Sequence, residues 1–102
     1  MTFTGAWTIN TNTGSTMTLT LIQDGENVTG QYVAQNGDRG RINGRVQGPI
    51  MVFAWQQDSG LKGAGRFALA PTGTFFKGQY RADPHPSIPQ QFLQGEWNGT
   101  RK

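Results

Sequence analysis

The chain has no cysteine, which excludes a disulfide framework, a thiolate nucleophile and a thiolate metal site. It has one histidine, His85, held between Pro84 and Pro86. With no cysteine to join it, that histidine leaves a zinc site short of ligands, so no metal is expected. No apolar run approaches the roughly 20 residues that a helix needs to cross a bilayer. The opening Met1-Thr2-Phe3-Thr4-Gly5-Ala6-Trp7 has neither the basic nor the apolar region of a signal peptide. The expectation is a soluble chain with no membrane partner, either cytoplasmic or exported after processing. Charge is sparse as well: nine Lys and Arg against six Asp and Glu give a net charge of +3. The basic residues occur singly or as near neighbours between Arg39 and Lys102, with no run of them. A nucleic-acid footprint is a clustered stripe, so this linear spacing predicts no nucleic-acid partner. Paired buried carboxylates are missing too, because every Asp and Glu falls in a turn, a loop or an outward strand position. A Ser-His-Asp set can be written from Ser15 or Ser87 with His85 and Asp83, but no nucleophile elbow surrounds either serine. The sequence therefore assigns no catalytic residue and no cofactor.

Glycine is abundant, at 15 residues in 102, and it falls where turns are wanted. Asn12-Thr13-Gly14, Asp24-Gly25, Asn36-Gly37, Gly48-Pro49, Asp58-Ser59-Gly60, Pro71-Thr72-Gly73 and the Pro-rich stretch from Asp83 to Pro89 make seven breaks. These leave eight strands at roughly 3–10, 15–23, 27–35, 40–47, 50–57, 63–70, 75–82 and 91–101, the spacing of an all-β barrel or sandwich. No segment has a helical period. The predicted fold over residues 1–102 is one domain, an eight-stranded antiparallel up-and-down barrel.

Alternation assigns the faces. Arg41, Asn43, Arg45 and Gln47 point one way, and Ile42, Gly44 and Val46 the other. Met17, Leu19 and Leu21 face inward against Thr16, Thr18 and Thr20. A Gly-x-aromatic word recurs as Gly5-Ala6-Trp7, Gly30-Gln31-Tyr32, Gly65-Arg66-Phe67, Gly78-Gln79-Tyr80 and Gly95-Glu96-Trp97. Residues i and i+2 share a strand face, so each glycine is expected beside its own aromatic on the inner wall, with rings lying over bare backbone where the sheet bends.

In an up-and-down order, alternate connections fall at opposite ends. The longer ones, over residues 10–14, 35–39, 57–62 and 83–90, gather at one end, which is the candidate mouth because function concentrates on loops carried by a rigid frame. A few polar groups over an apolar cup are the usual make-up of a small-ligand site. The candidate ligand-binding residues are Trp7, Tyr32, Trp55 and Tyr80 as walls, with Asn12, Ser15 and Asn36 giving orientation.

Gly5-Ala6-Trp7-Thr8, Gly14-Ser15-Thr16-Met17-Thr18-Leu19 and Val28-Thr29-Gly30-Gln31-Tyr32 resemble the first three strands of avidins and streptavidins. Val52-Phe53-Ala54-Trp55 and Lys77-Gly78-Gln79-Tyr80 resemble later avidin segments. The close, Trp97 to Arg101, is similar to that of short bacterial lipocalin-like domains. The avidin resemblance implies that Ser15, Tyr32 and an Asn at 10 or 12 hold a polar ligand head while Trp55 covers its rings. The second pocket Trp and the buried pocket Asp of avidins have no counterpart here, so tight biotin binding is not expected.

The leading expectation is a non-enzymatic barrel that binds a small, partly apolar molecule at the long-loop mouth. The alternatives are a cyclase- or isomerase-type enzyme that acts by positioning, and a protein-binding or inhibitor module. A homo-oligomer is also expected, through strand 50–57, because Ile50, Val52 and Ala54 face outward there, with Val33, Phe75 and Phe92 on other strands extending a patch.

Overall fold

The computed structural model describes residues 2–84, 86 and 93–102. Eight strands form a closed barrel in sequence order: β1 (Gly5–Thr11), β2 (Thr16–Asp24), β3 (Asn27–Ala34), β4 (Arg39–Gln47), β5 (Ile50–Gln57), β6 (Lys62–Leu69), β7 (Phe75–Ala82) and β8 (Gln94–Arg101). Every pairing is antiparallel, and β1 pairs β8 to close the sheet. There is no helix among the described residues. The predicted strands lie within a few residues of these, with one clear difference at the start. Phe3 and Thr4 are not strand; they form a segment that turns at Gly5, whose φ of 138° disfavours any side chain. The expected start of the last strand, at 91–93, falls partly on residues outside those described.

Period-2 alternation delivers the expected interior. Trp7, Ile9, Leu19, Leu21, Tyr32, Ile42, Phe53, Trp55, Phe67 and Phe76 are all buried, while the Thr, Arg and Lys between them face out. Apolar side chains thus line the inside, the reverse of the outward apolar band of a membrane-spanning barrel. None of the described helices is long and apolar enough to cross a membrane, since none is present.

The rings do lie over glycines, but the partner is not the one expected. Each ring covers the glycine directly across from it on the next strand: Tyr32 over Gly40, Phe53 over Gly65, Phe67 over Gly78, Phe76 over Gly99 and Tyr80 over Gly95. A Cβ at any of these glycines would run into the facing ring. Residues i and i+2 do share a face, but they are separated by ~6.7 Å along the strand, whereas a paired residue stands only ~5 Å away. The bare backbone is what lets so many rings fit inside eight strands.

The short-turn end is sealed. Phe3, 1% exposed, folds under the barrel, where the Trp7 indole Nε1 donates to its carbonyl at 2.9 Å. The Arg101 guanidinium lies over the Trp7 ring, its central carbon 4.2 Å from the centroid. It donates from Nη1 to the Thr4 carbonyl at 2.7 Å, from Nη2 to the Thr2 carbonyl at 2.9 Å and from Nε to the Gly73 carbonyl at 2.9 Å.

Ile50, Val52 and Ala54 share the outward face of β5, and Val33 and Phe75 do not adjoin them. Val52 stands in register between Arg45 and Arg66, Val33 between Thr18 and Arg39, and Phe75 pairs with Thr100. Phe92 lies outside the described residues.

Candidate functional site

The other end of the barrel holds an aromatic cluster centred on Trp97. Its ring stacks on Tyr80 at 4.7 Å and 24°, and meets Trp55 at 5.5 Å, Tyr32 at 5.8 Å and Phe53 at 6.2 Å. Trp55 also meets Tyr80 edge-on at 6.4 Å. Three strands, β3, β5 and β7, supply the rings around Trp97 from positions that alternation turns inward, and β8, paired with β7, brings Trp97 among them. The interior at this end is occupied by rings in mutual contact.

Two polar groups are embedded in this cluster. The Tyr32 hydroxyl donates to Gln57 Oε1 at 2.9 Å. Gln57 in turn donates from Nε2 to Ser59 Oγ at 3.1 Å and lies 3.5 Å from Asp38 Oδ2. Asp38 is held by Asn36, which donates from Nδ2 to the same carboxylate oxygen at 3.0 Å and accepts from the Asp38 backbone N–H at 3.0 Å. Burial first, and then the Asp38 and Asp58 carboxylates, push the Tyr32 phenol far above its ordinary range. Burial also raises Tyr80. Tyr32 is therefore held as a neutral hydrogen-bonding group. The second group is the Trp55 indole N–H. It is buried, Trp55 being only 5% exposed, and has no hydrogen-bond partner among the described residues. A buried donor left unmade costs about 1–3 kcal/mol.

Of the residues expected at the site, Tyr32, Trp55 and Tyr80 come together. Asn36 joins them through Asp38 and Gln57. Asn12 arrives by a different route: its Oδ1 accepts from the Glu96 backbone N–H at 3.0 Å and lies, with the Tyr80 hydroxyl, over Gly95. It ties the β1–β2 loop to the start of β8. Ser15 is exposed and engaged in its own turn, its N–H donating to Thr11 Oγ1 at 3.1 Å and its carbonyl accepting from the Thr11 N–H at 3.0 Å. Trp7 is elsewhere, its indole bonded to Phe3 at the sealed end. His85 and most of the 83–90 loop lie outside the described residues. Trp97 was not among the expected site residues, and Gln57 was expected at the mouth only as the first residue of the 57–62 connection. Trp97 carried the Gly-x-aromatic signal but no loop next to it, and Gln57 alternates inward at the last position of β5, where the strand runs into the mouth.

No described side chain that is buried carries a charge, and no group of three His, Asp or Glu able to hold a metal occurs among the described residues. No protein-family model matches the chain. No curated protein matches it either. Among solved structures, a de novo designed fluorescence-activating β-barrel matches with a TM-score of 0.66 and 13% identity, over 98% of this chain and 94% of that one. At that identity the likeness concerns architecture alone: the chain shares the small eight-stranded β-barrel fold.

Proposed function

We propose that the long-loop mouth binds a small, partly apolar molecule. The orphaned Trp55 N–H carries this reading. A ligand with a carbonyl or ether acceptor would satisfy it while lying against the Trp55, Tyr80 and Trp97 rings. Tyr80, half-buried, is the ring that must swing aside to admit it. Tyr32 with Gln57, and the Asn12 amide nitrogen, its Oδ1 being held by the Glu96 N–H, would then orient the polar end. Ser15 and Asn36 act at the rim, through their turns.

The test is tryptophan fluorescence during titration with a chemically mixed panel of small amphiphiles. A saturable change that is lost in Trp55→Phe supports the site. No change with any member of the panel overturns it. A second reading, a protein-binding module, is favoured by one observation, the mutual contact of the rings that fill this end. A silent titration would leave that reading in possession.

A further inference from the structure

The barrel gathers what the sequence scatters. Seven of the nine Lys and Arg stand on outward positions of four consecutive strands, three on β4, two on β6 and two on β7. The strands β4 to β7 contain no Asp or Glu. On β1 to β3, the only charged side chain is Asp24, at the end of β2.

Register turns this wall into a trough. Ala54 pairs with Ala64, so small side chains make the floor, and Asn43 and Arg81 stand at the two ends of that row. One side is the row Arg41–Gln56–Lys62, and the other is Arg45–Val52–Arg66. Rows two residues apart lie ~6.7 Å from each other, which sets the sides ~13 Å apart, and cations two strands apart stand ~9.6 Å apart. Two surface grooves, of about 680 and 520 Å³, meet at Ala64. Asp58 and Asp83 edge the first at the barrel mouth, and Glu96 edges the second at β8. Arg45 forms an exposed ion pair with Glu26 at 3.5 Å; Arg41, Lys62, Arg66 and Arg81 have no ion pair among the described residues.

We propose that this trough binds single-stranded nucleic acid through its phosphates, the reverse of what the linear spacing predicted. Three of the four uncommitted cations are arginines, whose planar forks match phosphate oxygens. The width suits one extended strand. The floor of Ala54 and Ala64 offers no ring for a base to stack on, so binding is independent of sequence and rests on charge. A second copy is a poorer occupant, because twofold packing on β5 would set Arg45 and Arg66 of both copies together.

Fluorescence anisotropy with a labelled oligothymidylate tests this. Four phosphate contacts predict that affinity weakens about 50-fold between roughly 50 and 200 mM salt. Arg41→Gln with Arg66→Gln should weaken binding at low salt and reduce that dependence to about 7-fold. Lys102→Gln, off the trough, should change neither, and thermal melts should show all the variants folded. The proposal is overturned by no binding at the lower salt, or by binding that the double variant leaves unaltered. Retention of a sulfated polysaccharide without the oligonucleotide also overturns it, as does a dimer that Val52→Lys dissociates.

Discussion

Arg101 ties two separate stretches of chain, the N-terminal segment and the turn before β7, to the core, so its removal should cost far more than an ordinary surface substitution. Its guanidinium donates to the carbonyls of Thr2, Thr4 and Gly73 while covering Trp7. Hydrogen bonds to a charged group contribute about 1.5–3 kcal/mol each, and a partly desolvated cation–π contact about 1 kcal/mol. Thr2 and Thr4 are exposed, so water replaces the lost donor at their carbonyls and most of those two bonds is recovered. Gly73 is buried, and its carbonyl has less access to water. The expected cost of Arg101→Met is therefore about 3 kcal/mol, which for a domain of this size is a fall in Tm of roughly 15 °C. Arg101→Lys keeps a cation near Trp7 but loses the fork, and should fall between the two. Urea denaturation and calorimetry measure both, and Trp7 emission should shift to the red as Phe3 leaves the sealed end. A cost for Arg101→Met within about 0.5 kcal/mol, the range of featureless surface sites, would refute the argument. So would Arg101→Lys as stable as the parent.

Gly40→Ala should lose about 1–3 kcal/mol in urea melts, because its Cβ would run into the Tyr32 ring and disturb the bond to Gln57. Trp55→Phe should be milder than Trp7→Phe by about 2 kcal/mol in the same assay, since the first removes an unsatisfied donor and the second orphans the Phe3 carbonyl. The neutral phenol of Tyr32 is favoured by the fold, so stability from this group is complete below the ordinary phenol value of 10.0 and is lost as the pH rises above it. Melts at alkaline pH should slope less in Tyr32→Phe, by up to about 1.4 kcal/mol per pH unit. Calorimetry with biotin should give no sub-micromolar affinity, because the Ser15 hydroxyl lies in an exposed turn beside Thr13 Oγ1 and the Asn12 Oδ1 is taken by the Glu96 amide.

Much of the barrel was legible because a strand writes its two faces locally. Ile42 and Val46 against Arg41 and Arg45, or Leu19 against Thr18 and Thr20, settle inside and outside within a few residues. Turn glycines with positive φ, such as Gly25 and Gly48, mark where one strand ends and the next begins. Strand number, order and most of the interior follow from those two signals, and so do Tyr32, Trp55 and Tyr80 as inward rings.

Register and closure are properties of pairs, and no local pattern states them. The pairing of β1 with β8 sets Trp7 against Arg101 across most of the chain's length, which fixes Trp7 at the sealed end and takes it out of the mouth. The pairing of β8 with β7 brings Trp97 into the centre of the aromatic cluster, and lateral pairing puts each ring over a glycine of the next strand. Ser15 and Asn12 satisfied the sequence pattern of a ligand site, yet the Glu96 backbone N–H claimed the Asn12 Oδ1, since an unmade backbone hydrogen bond is as costly as any other, and the Ser15 hydroxyl stays in its own exposed turn, accepting from Thr13 Oγ1. Lateral pairing also decided the charge pattern. Arg45 and Arg66 are separated by a strand and two turns in the sequence, but they flank Val52 in a single row of the wall. The sequence by itself determined which way each side chain faces. Only the folded sheet, through cross-strand neighbours ~5 Å apart, determined what each one stands beside.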